Sequence, residues 1–136
     1  MNSMPYVPQS FTRTLSSTSQ FTARQRIEAS LRLEGFFVLE EVDVRALIQS
    51  RLHLEYQPYV ILGAVKPELV HEFILNHPTG TFMVPDSISI TADAAGEAVL
   101  SILGPAALMG EYHDPERFQA PLVESRTRLQ RALANA

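Results

Sequence analysis

Apolar and polar positions along this chain follow two periods, and the places where one gives way to the other mark out the elements. In "SFTRTLS", Phe11, Arg13 and Leu15 share one side and threonines the other, a period of two that predicts an edge strand. Thr22 followed by Gln25 fits a capping box, Ile27 and Leu31 lie one turn apart, and Gly35 stands where a left-handed cap belongs. The pattern predicts a first helix from Ala23 to Glu34. "FFVLEEV" predicts a strand, after which Asp43 caps a helix with an apolar face of Val44, Leu47, Ile48 and Leu52. "YVILGAV" is apolar at every position and predicts a central strand ending at Gly63, buried on both faces. Pro67 opens a third helix that turns Leu69, Val70, Phe73 and Ile74 to the core, and "NHPTG" ends it.

Two strands follow, Phe82 to Thr91 and Glu97 to Leu103, joined by "ADAAG" in a hairpin. Leu122, Leu129 and Leu133 mark a last helix beginning at Pro121, since a proline deep in a helix costs about 3 kcal/mol. The expected architecture is α+β, order β-α-β-α-β-α-β-β-α, with a mixed sheet of about five strands covered by helices. One domain over residues 10–136 is expected, after a loose N-terminal arm of residues 1–9 containing Pro5 and Pro8.

Within "FMVPDSISIT", Asp86 has the parity of Ile88 and Ile90. Either a bulge at Pro85 turns Asp86 out to water, or the carboxylate points inward and needs a partner, because a buried unpaired carboxylate costs several kcal/mol. The nearest candidates are Lys66 and the free N–H groups of the helix that Pro67 opens, a terminus whose dipole also favours a ligand's phosphate or carboxylate.

Composition narrows the field. Among 136 residues, 46% are hydrophobic and 19% charged, as in soluble globular proteins, and the net charge of −4 argues against nucleic acid as a partner. The longest apolar run, Tyr59 to Val65, falls well short of the roughly 20 residues that cross a bilayer. The N-terminus lacks an export signal, so the cytoplasm is expected. The absence of cysteine excludes disulfides, thiol catalysis and cysteine-ligated zinc.

The remaining candidate chemistry is sparse. His71 and His77 do not have the one-turn spacing that lets two imidazoles on one helix share an ion, and His53 fits a helix end. In "HDPER", His113 adjoins a capping Asp114 with Pro115 at a first helical position. Glu40, Glu41 and Asp43 form an acidic cluster of the kind in which a carboxylate pair does acid–base work, although a solvated strand end with a helix cap explains it better. Arg126, Arg128 and Arg131 fall on the polar side of the last helix. There is neither a G-x-S-x-G elbow nor a glycine-rich phosphate loop, and no particular cofactor is indicated.

The run "YVILGAVKPELVHEFILNHPTGTFMVPDSISI", with "LRLEGFFVLEEVDVRALIQSRL" before it and "EAVLSIL" after it, resembles the bacterial domain-of-unknown-function family 302 over about Thr22 to Leu103. The resemblance implies a compact α+β domain that commonly pairs into homodimers, and no established activity. Many members carry cysteines at the positions of Val65 and Asp86, so any thiol chemistry of relatives is absent here. The reading that follows is a non-catalytic cytosolic homodimer. It would bind a small molecule, such as a small anion, or a protein partner near Gly63, Lys66, Pro67 and Asp86. The alternative is a metal-dependent or acid–base enzyme that uses Asp86 with His71 or Glu41; it requires at least three of Asp86, His71, His113 and Glu41 to converge.

Overall fold

The computed structural model describes residues 11–76, 85–104 and 115–136. Strands β1 (Thr12–Leu15), β2 (Phe37–Asp43), β3 (Val60–Val65), β4 (Asp86–Ala92) and β5 (Ala98–Leu103) form one sheet in the order β1-β5-β4-β3-β2. Helices α1 (Gln20–Leu33), α2 (Val44–Leu52), α3 (Pro67–Asn76) and α4 (Pro115–Ala134) complete the α+β domain in the expected element order. Every strand pairing is antiparallel rather than mixed. The reason lies in the connections: α2 and α3 each link neighbouring strands, returning the chain beside itself, and only α1 crosses the sheet from edge to edge.

The period of two builds one buried face. Leu62, Ile88, Leu100 and Ile102 point to the same side, all fully buried, and α1 covers them with Ile27 and Leu31 while α4 contributes Leu129 and Leu133. The Ser30 hydroxyl donates to the Ala132 carbonyl across the helix pair, and Arg13 of β1 donates to the carbonyls of Leu133 and Ala134, satisfying groups that the end of α4 leaves free. The opposite side of the sheet carries Thr12, Ser87, Ser89, Thr91 and Ser101, the polar alternates of the same strands.

Several ends differ from expectation for identifiable reasons. Helix α1 starts a turn early because the Ser19 side chain, not that of Thr22, accepts from the Thr22 amide. Its other end closes as anticipated: Gly35 adopts φ 88°, with Gly35 N–H donating to Arg32 and Phe36 N–H to Leu31, the paired bonds of a left-handed cap. Helix α4 begins at Pro115 and carries Pro121 inside it instead of starting there. Pro115 takes the first helical position, where a missing N–H costs nothing. Strand β3 runs through Gly63 to Val65, because Gly63 is paired on both sides, with Glu40 and Ser87. Helix α2 forms under its Asp43 cap, 2.9 Å from the Ala46 amide, yet buries none of its residues, and of its expected apolar face Leu47 and Leu52 are exposed. In α3, Leu69 is buried while Ile74 is exposed. The expected arm at residues 1–9, and His77, His113 and Asp114, lie outside the described residues.

The cap assignment separates two substitutions. Ser19→Ala is expected to lower the unfolding free energy by about 1 kcal/mol and Thr22→Ala by clearly less, as measured by urea denaturation. Equal losses would contradict the bond from Thr22 to Ser19.

Candidate functional site

Asp86 points inward. It opens β4 opposite Ala64, on the face of Ile88 and Ile90, and is only 6% exposed. Strand parity therefore continues to the first residue after Pro85 with no flip. Asp86 is engaged rather than free. Gly104, just past β5, is pressed against it: a Cβ built there would lie 2.7 Å from the Asp86 Cα. That backbone atom cannot swing aside, so glycine is required by close approach.

Lys66 lies at the same end of the sheet, two residues beyond Ala64. Its carbonyl accepts from the amides of Leu69 at 3.0 Å and Val70 at 3.2 Å, which starts α3 behind Pro67. Its ammonium, 11% exposed, lies 3.3 Å from the Glu124 carboxylate of α4. Charges of alternating sign extend from there. Arg128 Nε donates to Glu124 at 3.0 Å, Arg128 also lies 3.8 Å from the Glu34 carboxylate, and Arg131 reaches Glu34 at 3.0 Å. Glu34 itself is nearly buried. The series Lys66, Glu124, Arg128, Glu34 and Arg131 ties the starts of α3 and β2 to α4. The chain's single lysine is the member of the series that lies at Asp86's end of the sheet. Beside Glu124, the Ser125 hydroxyl is fully buried with no hydrogen-bond partner among the described residues. A buried hydroxyl left unsatisfied is uncommon and costs about 1–3 kcal/mol.

The other sequence candidates have local roles. Gly63 sits under Glu40, whose Cγ would be 2.6 Å from an added Cβ, so it makes room for a side chain on the open face of the sheet. Glu41 points to the helical face and pairs with Arg24, whose Nε lies 2.9 Å away; this bond is the first of the interactions that raise the Arg24 pKa. His71 is exposed on α3, and His53 closes α2 in the left-handed region at φ 56°. Arg126 lies over the Phe11 ring, 5.5 Å from its centroid. Among the described residues no three His, Asp or Glu side chains gather as a metal site. A concavity of about 490 Å³ runs along α1, lined by Arg24, Gln25, Glu28, Ala29, Arg32 and Leu33, so none of Gly63, Lys66, Pro67 and Asp86 borders it. Glu34, Gly104, Glu124 and Ser125 escaped sequence reasoning. A serine on the apolar stripe of α4, four residues before Leu129, was the one local signal available.

These features define an α+β domain with a one-sided antiparallel sheet and a charged cluster at one sheet end. The chain belongs to the family described as domain of unknown function DUF302, which matches residues 11–136. It is similar to the crystal structure of an uncharacterized conserved protein DUF302 from Bacillus stearothermophilus. The two share 24% identity at a TM-score of 0.75, over 92% of this chain and 97% of that one, a likeness that speaks to the fold. No protein with a curated description matches the chain. No helix among the described residues is long and apolar enough to cross a membrane.

Two measurements check the site. Gly104→Ala is expected to cost about 1–3 kcal/mol in denaturant unfolding, because Asp86 or its strand must shift; a neutral result would mean that the contact is loose. The carboxyl of Glu124 is held below its ordinary 4.5, first by the Arg128 hydrogen bond and then by Lys66. A depressed carboxyl pKa stabilises the folded state above the ordinary value, and that contribution disappears as pH falls through the lowered one. The stability gap between wild type and Glu124→Gln is therefore expected to be constant near neutrality and to close as pH drops below 4.5. A gap that ignores acid would show the pairs to be inert.

Proposed function

We propose that this protein is a non-catalytic, cytoplasmic, homodimeric module that binds a small anionic molecule at the sheet end where Lys66, Pro67 and Asp86 meet, with Gly63 inside the neighbouring strand. The observation that carries this reading is two nearly buried ionisable groups at one end of the sheet: Asp86 at 6% exposure and the Lys66 side chain at 11%. Removing charges from water is expensive, and such groups are concentrated at functional sites. The Ser125 hydroxyl, one residue along α4 from the glutamate that holds Lys66, is buried without a partner among the described residues and would offer a donor and an acceptor to a ligand that reached it. An anion could share Lys66 with Glu124 and accept from Ser125. The local charges already pair with one another, and Glu41, which the enzymatic alternative would enlist, is engaged by Arg24. Such an arrangement suits holding a ligand more than turning one over.

Amide chemical shifts recorded while adding inorganic phosphate, acetate, citrate and nucleoside monophosphates test the binding site. Shifts are expected to cluster at Lys66 to Leu69, Asp86 and Ser125 for one of these anions, and to vanish in Lys66→Ala. Shifts confined to other parts of the chain, or a response that survives Lys66→Ala, would overturn the site.

A further inference from the structure

We infer that the homodimer forms crosswise, with the apolar and basic helix α2 of one copy seated on the apolar and acidic edge strand β2 of the other. This inference rests on the homodimer reading above and specifies its surface. Of the twelve large apolar side chains exposed among the described residues, seven fall in one stretch of chain: Phe37, Leu39 and Val42 on β2, Leu47 and Leu52 on α2, and Leu54 and Tyr56 just after it. At roughly 200 Å² per fully exposed large side chain, their exposed portions amount to on the order of 700 Å². A stable dimer buries roughly 800 Å² on each partner, so this area is of the size an interface needs.

Charge selects a second copy as the occupant. Arg45 and Arg51 on α2, and Glu40 on β2, are exposed and make no ion pair among the described residues, although acidic and basic groups elsewhere in the fold are extensively paired. Arg45 lies in the first turn of α2, where its charge opposes the helix dipole, and the Asp43 carboxylate at that end is occupied in capping the Ala46 amide. A two-fold axis brings the basic helix to the acidic strand twice, once in each direction, and satisfies both signs. Direct pairing of β2 with its own copy is disfavoured. It would oppose Glu40, Glu41 and Asp43 to the same three residues, and the irregularity between Val38 and Glu40 breaks the edge that would have to pair.

Sedimentation velocity over a concentration series tests this, with thermal melts confirming that each variant folds. Wild type is expected at twice the mass of the chain. Arg45→Glu with Arg51→Glu, and separately Glu40→Arg, are each expected to weaken association about tenfold or more, and the combination of all three to recover much of the loss. Leu47→Glu with Leu52→Glu is expected to give monomers. A wild-type dimer indifferent to these changes, or one that the combined reversal fails to recover, overturns the crosswise surface and leaves the homodimer reading intact. A monomeric wild type overturns both.

Discussion

The constraint on which the structure depends is the period of two along β3, β4 and β5. Once Leu62, Ile88, Ile90, Leu100 and Ile102 are committed to the core, every second residue of those strands must follow them, including the position where β4 begins. That position is Asp86. Its burial is thus imposed by the register of the apolar ladder, and the fold accommodates it with a glycine at 104, where any side chain would meet the Asp86 backbone. The other side of the same strands takes serines and threonines, and α1 and α4 gather on the apolar side.

Electrostatics then fasten the helices that burial has positioned. Glu34 closes α1 and holds Arg131 and Arg128, and the latter shares Glu124 with Lys66. Exposed pairs contribute little individually, about 0–1 kcal/mol each, but these converge on a nearly buried glutamate and a nearly buried lysine, where screening by water is reduced. The result is an end of the molecule where α3, α4, β3 and β4 meet around ionisable groups, while the helix-covered face at the middle of the sheet is apolar. Paired ionisable groups are therefore concentrated at that end.

The β2–α2 corner obeys a different logic. Helix α2 has the composition of a packing helix but buries no residue, and β2 lies at the sheet edge with apolar side chains exposed. Within one chain this placement is unfavourable by the same hydrophobic effect that forms the core. A second copy seated there, as proposed above, would cover it.

Much of this was legible in the sequence because it depends on short-range periodicity. The element order, the α+β class, the Asp43 and Gly35 caps and the β4–β5 hairpin all follow from spacings of a few residues, and the likeness to family 302 rests on those same segments. Choices made over longer distances were not legible. Whether Asp86 lies inside, whether the strand continues through Gly63, and which carboxylate Lys66 meets depend on partners at Ala64, Ser87 and Glu124 that sequence spacing does not bring together. The face of α2 reads as core because its pattern is that of a core helix, and only the position of β2 at the sheet edge leaves it uncovered. Local pattern determined what each segment becomes; tertiary structure decided which side chains meet, because burial and charge pairing depend on distances that only the folded chain sets.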